Sequence, residues 1–224
     1  MADLIYPPII GAARLTFAAL GIHFDIVGAE NIPAQGGAVL ASNHLSYLDF
    51  TFCGFAARPR LVRFMAKEAI FRHWLAGPLM RGMHHISVDR DAGLGSFREA
   101  LTAIRAGEIV GVFPEATIST TFSIKDLKSG AVRLAMSANA PLIPMVTFGG
   151  QRLLTKGRHR DFSRGKTVVM IIGEPLYPQR TDDAAEVTSE LRRRLEALLA
   201  ESVARYPNRP DDAWWLPHPT APQE

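Results

Sequence analysis

The sequence contains a single cysteine, Cys53, and only five lysines among its 25 basic residues. One cysteine excludes an intrachain disulfide and is typical of a protein from a reducing compartment. The formal net charge is +3 although the sequence pI is about 9.2, and so small an excess of positive charge disfavours nucleic acid as the main partner. Arginine outnumbers lysine by 20 to five, a bias typical of a GC-rich bacterial genome.

Long uninterrupted apolar runs are also missing. The most apolar stretch, residues 4–22, contains two prolines and Arg14, whereas a bilayer-spanning helix needs about 20 predominantly apolar residues. We expect residues 1–22 to form an amphipathic N-terminal helix that either lies in a membrane interface or packs on the domain. The N-terminus also lacks the basic start and small-residue cleavage site of a secretory signal, which predicts a cytoplasmic protein.

Short β-like runs alternate with segments of helical periodicity along most of the chain. Strands are predicted at residues 23–28, 38–42, 62–66, 84–88, 109–113, 142–148 and 167–173. Helices are predicted at residues 47–57, 68–80, 94–105, 127–139 and 182–205. This alternation predicts an α/β fold in a single domain, with a mixed, mostly parallel sheet of about seven strands flanked by helices. We expect that domain to cover residues 23–205 and to be followed by a C-terminal tail, residues 206–224.

Polar residues gather where the second predicted strand ends, in the stretch Asn43-His44-Leu45-Ser46-Tyr47-Leu48-Asp49. Histidine exchanges a proton near neutral pH, and a carboxylate on its other ring nitrogen fixes its tautomer. Because His44 and Asp49 are five positions apart, we expect His44 on the turn before a helix and Asp49 folding back from the first helical turn. The stretch also fits a capping box with Ser46 as N-cap, so a catalytic pair and a helix cap both stay open.

Basic side chains fall close to the predicted strand ends, where they face the same edge of the sheet as His44. Arg90 follows the fourth strand and is suited to bind a phosphate, the alternative being a surface ion pair with a neighbouring aspartate. Lys67, Lys125 and Lys128 are three of the five lysines, and all lie near strand ends. A phosphate or a polyphosphate co-substrate suits these positions.

The fifth and sixth predicted strands supply further features of this edge. Glu115 directly follows a strand that ends at a proline, and Thr117 behind it is able to donate hydrogen bonds. The prolines of Pro141-Leu142-Ile143-Pro144-Met145-Val146 predict an edge strand or an unusual entry beside the site. The adjacent His84 and His85 disfavour a metal site, because neighbouring strand residues point to opposite faces and no cysteine or carboxylate set accompanies them.

Two segments near the C-terminus are predicted to lie on the surface. Residues 151–166 carry six basic residues against Asp161 and predict an exposed loop, which either attracts an anionic partner such as an acidic lipid or is only a solvated surface loop. Apart from Phe162 this loop lacks interleaved aromatic residues, which disfavours nucleic-acid binding. The paired Trp214 and Trp215 are expected to pack back on the domain rather than to anchor it in lipid headgroups.

Four of these stretches, in this order, resemble the glycerolipid acyltransferase family, the group that contains 1-acyl-sn-glycerol-3-phosphate acyltransferase. His44 to Asp49 looks like the family's His-x4-Asp block, and residues 82–90 are similar to its second block, which ends in a phosphate-binding arginine. Phe113-Pro114-Glu115 looks like the start of its Phe-Pro-Glu-Gly-Thr-Arg-Ser block, and residues 141–145 resemble its apolar proline block. The resemblance covers about residues 27–145 of this sequence.

The resemblance implies transfer of a fatty acyl group from acyl-CoA or acyl-carrier protein to the free hydroxyl of 1-acylglycerol-3-phosphate (lysophosphatidic acid) or a related lipid. It implies that His44 acts as general base, that Asp49 orients it, and that neither an acyl-enzyme nor a cofactor is needed. It assigns substrate binding to Arg90 and to Glu115, with Glu115 either binding an acceptor hydroxyl or bracing the site. Lys67, Lys128 and Thr117 are further substrate-binding candidates because of their positions near the strand ends. It further implies a peripheral or monotopic protein at the cytoplasmic face of the cell membrane, without a nucleic-acid partner.

Two positions depart from the family's third block. Ala116 stands where glycine is usual, which is tolerable if the backbone there does not need positive φ. Ile118 stands where the family has an arginine that holds the acceptor's phosphate. Either Arg90, Lys67 and Lys128 replace that arginine, or the acceptor is glycerol-3-phosphate, another lysophospholipid or a phosphate-free lipid. A non-catalytic lipid-binding homologue is a further alternative, which the retained histidine, aspartate and glutamate disfavour.

Aromatic residues close to the first two blocks allow two interpretations. Phe50, Phe52 and Phe55 follow the histidine block, and residues 71–75 precede the second block. They either line a channel for the acyl chain and touch lipid, or they belong to the hydrophobic core of the domain.

Overall fold

The computed structural model describes residues 6–89 and 93–218, so Arg90 lies outside the described residues. Within them, seven strands form one sheet in the order β1-β7-β6-β2-β5-β3-β4. The strands are β1 (His23–Val27), β2 (Ala38–Ser42), β3 (Val62–Lys67), β4 (Ile86–Val88), β5 (Ile109–Val112), β6 (Leu142–Phe148) and β7 (Thr167–Ile172). All neighbours are parallel except β6 and β7. The predicted α/β fold with a mixed, mostly parallel sheet is confirmed.

Helices cover both faces of this sheet. They are α1 (Tyr6–Ala19), α2 (Asp49–Ala56), α3 (Glu68–Arg72), α4 (Ala76–Gly82), α5 (Gly93–Arg105), α6 (Gly130–Ala138) and α7 (Ala184–Arg205). The alternating side chains of β2 show how the layers form: Val39 and Ala41 pack in the core under α5, α6 and α7, whereas Ala38 and Leu40 pack in the core under α1 and α2. Because β2 is buried on both faces, its five residues are all apolar or small.

The N-terminal helix α1 packs on the domain. Tyr6, Ile10 and Phe17 form its buried stripe, and the Phe17 ring lies 5.5 Å from that of Phe52. Its outer face stays partly apolar, with Leu15 75% exposed. Among the described residues, no helix combines the length and the apolar character that crossing a bilayer requires.

The segment predicted as one helix over residues 68–80 is two helices, α3 and α4, so that prediction is wrong. The backbone becomes extended at His73, whose Nδ1 accepts hydrogen bonds from the amides of Leu75 and Ala76. Pro78 has no amide hydrogen and clashes with a preceding helical turn, so it fits only the first turn of a new helix. The result is a helical hairpin of short arms between β3 and β4.

One helix and one strand also begin at residues other than those predicted. Helix α6 begins at Gly130 rather than at residue 127, because the amides of Lys125 and Lys128 bond to Glu115 and Pro114 and hold that segment extended. Strand β4 begins at Ile86, since His84 has a φ of 54° and cannot continue a strand.

Of the two alternatives that the prolines of β6 left open, the edge strand is wrong, because β6 lies between β2 and β7. The ladder between β6 and β7 begins at Met145 and Ile172, and an isolated bridge joins Leu142 to Leu176 beyond an irregular stretch. Pro144 lies in that irregular stretch, where a missing amide hydrogen is tolerated.

The C-terminal tail packs back on the domain, as expected from its tryptophans. Trp215 is 4% exposed and its ring lies 4.8 Å from that of Tyr206. The basic loop at residues 151–166 is exposed in its middle, but its ends are held: the Arg152 guanidinium lies 4.8 Å from the Trp215 ring, and the buried Lys166 ammonium bonds to Asp161 at 3.0 Å.

Candidate active site

The carboxylate of Asp49 is the most heavily bonded polar group at the carboxyl edge of the sheet. Asp49 is the first residue of α2 and is fully buried. Its Oδ2 accepts from Nδ1 of His44 at 3.0 Å and from the amides of Leu45 and Ser46 at 2.7 Å each, and its Oδ1 accepts from the Thr147 hydroxyl at 2.8 Å. These four hydrogen bonds compensate for removing the Asp49 carboxylate from water.

The imidazole of His44 is fixed by two neighbours. A carboxylate oxygen only accepts hydrogen bonds, so this contact assigns a proton to Nδ1 of His44, and in the neutral imidazole with that tautomer the lone pair is on Nε2. The ring also stacks on Phe113 with centroids 4.2 Å apart and an angle of 16° between the planes. Because the His44 side chain is 20% exposed, its ring is reachable from solvent while its orientation is set from behind.

Glu115 braces the backbone beneath His44. Its Oε1 accepts from the His44 amide at 2.9 Å and its Oε2 accepts from the Lys125 amide at 3.0 Å. The side chain is almost fully buried, and this burial raises the pKa of Glu115 to about 7. Both carboxyl oxygens are therefore engaged by main-chain donors, a geometry that favours the bracing role over direct binding of an acceptor hydroxyl.

Asn43 and Thr147 join the histidine turn to the end of β6. The Asn43 side chain donates to the Thr147 carbonyl at 3.0 Å and accepts from the Thr147 amide at 2.8 Å. Both residues are buried. The Thr147 hydroxyl also bonds Asp49. Asn43 and Thr147 together therefore hold the Asp49 carboxylate at a fixed distance from β6.

Ser46 is not the N-cap of α2, because Leu48 occupies that position. The Ser46 hydroxyl accepts from the Leu48 amide at 3.1 Å and donates to the Leu154 carbonyl at 2.7 Å. Asp49 does bond the Ser46 amide, as the acidic partner of a capping box does. The predicted capping box is therefore not formed as such, but one oxygen of Asp49 bonds both the His44 ring and the amides of the turn.

The loop after β5 contains both departures from the family block. Ala116 has a φ of 56°, the conformation that glycine adopts most easily, so the condition under which alanine would be tolerated without cost is not met. Ile118 is 6% exposed and faces the protein interior. The Ser119 amide donates to the His44 carbonyl at 2.8 Å, which ties this loop to the histidine turn.

The predicted substrate-binding residues have different positions around this edge. Lys67 is exposed at the carboxyl end of β3, and Lys128 is exposed just before α6. Thr117 is half-buried in the loop after β5.

The adjacent histidines His84 and His85 point in different directions. His84 is exposed, whereas His85 is buried and its Nδ1 accepts a hydrogen bond from the Phe64 amide.

The aromatic residues after the histidine turn divide between core and surface. Phe52 is fully buried and belongs to the core under α1 and α2, together with half-buried Phe50 and Phe55. Phe71 is 9% exposed, whereas Trp74 is 80% exposed. Core packing therefore accounts for Phe52 and Phe71, but not for Trp74.

Sequence reasoning missed the contact of Thr147 with Asp49 and the stacking of Phe113 on His44. Thr147 carried a usable signal, because it is the polar residue in the apolar strand Leu142–Phe148. Asn43 carried a similar one, as an amide directly after a buried strand. Neither signal identifies a partner, because the bond from Thr147 to Asp49 joins residues that are 98 positions apart.

A mostly parallel α/β sheet with a histidine–aspartate pair at its carboxyl edge defines a protein equipped for general-base chemistry. A sequence model described as Acyltransferase matches residues 23–147, which is more than half of the 224-residue chain. The chain therefore belongs to the acyltransferase family.

Relatives extend this match beyond the family's common core. The chain is 32% identical over 184 residues to a 1-acyl-sn-glycerol-3-phosphate acyltransferase of Bacillus subtilis (strain 168), covering 77% of this chain and 86% of the relative. It is 32% identical over 183 residues to an enzyme of the same name from Limnanthes alba, covering 80% of this chain and 62% of that one. The crystal structure of the 1-acyl-sn-glycerophosphate (LPA) acyltransferase PlsC from Thermotoga maritima superposes with a TM-score of 0.76 at 24% identity, covering 89% of this chain and 80% of that one. This last match shows a shared fold.

Proposed function

We propose that this acyltransferase moves a fatty acyl group from a thioester, acyl-CoA or acyl-carrier protein, to the free hydroxyl of 1-acylglycerol-3-phosphate, giving phosphatidic acid. The observation that carries the proposal is the 3.0 Å contact between His44 Nδ1 and Asp49 Oδ2, beside an imidazole that is reachable from solvent. The names of the Bacillus subtilis and Limnanthes alba relatives support the choice of acceptor.

In the proposed reaction Nε2 of His44 removes the proton of the acceptor hydroxyl while that oxygen attacks the thioester carbonyl. The bond from carbonyl carbon to sulfur then breaks, the thiolate takes the proton from His44, and the products are the new ester and a free thiol. Asp49 holds the tautomer and stabilises the imidazolium. No acyl-enzyme is formed, and Ser46 is not a nucleophile, because its hydroxyl is committed to the Leu154 carbonyl.

This chain has the buried Ile118 at the position of the family's phosphate-binding arginine. Other cationic side chains must therefore bind the acceptor's phosphate. We assign this role to Lys67 and Lys128, which are exposed at the same edge, and to Arg90. Thr117 donates to the acceptor from the half-buried loop, and Glu115 acts through the His44 backbone. Ile118 is also the observation that favours a second candidate, the same chemistry on another lysophospholipid, glycerol-3-phosphate or a phosphate-free lipid.

We further propose that the protein works at the cytoplasmic face of the cell membrane, as a peripheral or monotopic protein and without a cofactor. Its substrates support this, because both the acceptor and the product are lipids. The apolar outer face of α1, with Leu15 exposed, supports contact with a membrane interface.

A direct transfer assay tests these proposals. Purified protein is given palmitoyl-CoA or palmitoyl-carrier protein and a panel of lysophosphatidic acid, glycerol-3-phosphate, other lysophospholipids and monoacylglycerol. We expect product from lysophosphatidic acid and a loss of about 10²–10⁴-fold in turnover for His44→Ala and Asp49→Asn, with unchanged circular dichroism. Product from another acceptor alone would contradict phosphatidic acid synthesis. Near wild-type turnover of either variant would contradict the general-base mechanism.

A further inference from the structure

The hairpin of α3 and α4 exposes an unusual amount of apolar surface. Trp74 is 80% exposed and Leu75 is 64% exposed at the bend, with Ile70 at 40% and Leu79 at 38% on the two arms. Single exposed apolar residues are common on soluble proteins, but a cluster of this size within one short segment indicates an interaction surface. We call these four residues the apolar tip.

The apolar tip follows the edge of the sheet that holds the candidate active site. Strands β2 and β3 both pair in parallel with β5, so their carboxyl ends lie at the same edge. His44 follows β2 at this edge, and α3 begins directly after β3. A membrane or protein surface that contacts the apolar tip therefore lies next to the sheet edge that carries the His44 imidazole.

Basic residues flank the apolar tip in the sequence. Lys67, Arg72 and Arg81 are exposed, and Glu68 is the one acidic residue in the sequence between Lys67 and Arg81. Glu68 is paired with Arg72 at 2.7 Å. Tryptophan prefers the headgroup boundary of a bilayer, and lysine and arginine near a membrane surface are attracted to anionic lipid. The combination fits an anionic bilayer better than it fits an apolar protein groove.

We propose that the apolar tip inserts into the headgroup region of a bilayer that contains anionic lipid, and that this contact holds the active-site edge against the membrane. The inference rests on the proposed function, because it supplies the reason for bringing His44 to a lipid surface. The tip is a specific site within the broader proposal of membrane association, and it is separate from the outer face of α1.

Vesicle sedimentation of the 224-residue chain tests the site. The probes are vesicles of phosphatidylcholine alone and vesicles of phosphatidylcholine mixed with phosphatidylglycerol, and the test variant is Trp74→Ala/Leu75→Ala. We expect the double substitution to weaken binding to the anionic vesicles by roughly tenfold or more. Tyr177→Ala is the matched control, since Tyr177 is 69% exposed but follows β7, whose carboxyl end lies at the opposite edge; its binding should equal that of the parent.

Each outcome bears on the proposal in one direction. Equal binding by the double variant and the parent would contradict the proposed insertion of the apolar tip. Failure of the parent to bind either kind of vesicle would contradict it as well. Equal binding of the parent to neutral and anionic vesicles would overturn the requirement for anionic lipid. His44→Ala should bind vesicles like the parent, because the apolar tip is separate from the imidazole. A parent protein that binds anionic vesicles through Trp74 but transfers no acyl group would contradict the proposed function and would leave the proposed membrane contact intact.

Discussion

The hydroxyl of Thr147 bonds the oxygen of Asp49 that His44 does not use, at 2.8 Å in a fully buried setting. A hydrogen bond to a charged group is worth about 1.5–3 kcal/mol. We therefore expect Thr147→Val, which keeps the shape and the main-chain bonds to Asn43, to lower kcat by about tenfold with little change in KM. Thr147 would then be a positioning residue that acts through Asp49.

The serine variant separates this role from packing. Thr147→Ser keeps the hydroxyl and loses a methyl group, so its kcat should return close to that of the parent. The downfield resonance of the His44 Nδ1 proton should change in the valine variant and not in the serine variant. A valine variant with parental kcat, or a serine variant as slow as the valine one, would count against the role of Thr147.

Glu115 should make stability depend on pH in the neutral range. Its pKa is raised from 4.5 to about 7, so the folded state binds this proton more tightly than the unfolded state. The stabilisation is complete below the unfolded pKa and is lost as the pH rises through about 7. Between pH 5 and pH 8 the unfolding free energy of the parent should fall by about 2–3 kcal/mol relative to Glu115→Gln.

Denaturant unfolding of both proteins at several pH values measures this difference. At pH 5 Glu115 is protonated, but its hydroxyl oxygen can still accept from the second main-chain donor, whereas the amide nitrogen of Glu115→Gln cannot, so the variant should be less stable than the parent there. Parallel pH profiles for the two proteins would show that Glu115 does not titrate in this range.

At the scale of elements, the turn after β5 is held in a conformation that its sequence does not favour. Ala116 has a φ of 56°, which costs an alanine about 1–2 kcal/mol, whereas glycine adds about 0.4–1 kcal/mol of chain entropy to the unfolded state. Ala116→Gly should therefore raise the unfolding free energy by up to about 1 kcal/mol. Ala57→Gly, at a φ of −78°, is the control and should lower it. A stability loss at both positions would contradict the strain at Ala116.

The elements show why the sequence predicted the sheet better than the site. Strand β2 is a short apolar run that ends at Asn43, and the placement of His44 before a helix with Asp49 in its first turn follows from the spacing of the two residues. The interior position of β6 was not predictable, because the order of strands depends on packing between distant segments. The contact of Thr147 with Asp49 depends on that order, since β6 must lie beside β2 for the bond to form.

Across the whole molecule, the C-terminal tail supports the histidine turn through the basic loop at residues 151–166. The Trp215 carbonyl accepts from the Gln151 side chain at 3.1 Å, at the start of that loop. Further along it, the Leu154 carbonyl accepts from the Ser46 hydroxyl, and the Thr155 hydroxyl donates to the Leu45 carbonyl at 2.6 Å. Two successive sets of contacts thus connect the end of the chain to the turn that carries His44.

Removal of the Trp215 side chain should affect both stability and turnover for this reason. Trp215→Ala empties a buried site beside Phe148 and Tyr206 and should lower the unfolding free energy by about 3–5 kcal/mol. Trp214→Ala is the matched control, since Trp214 is 38% exposed and should cost far less. Hydrogen exchange at the amides of Leu45 and Ser46 should accelerate in Trp215→Ala more than exchange in β2 does, because the loop that holds the turn has lost its support. Equal acceleration in the turn and in β2 would show that Trp215 stabilises the domain as a whole and does not act on the histidine turn through the loop.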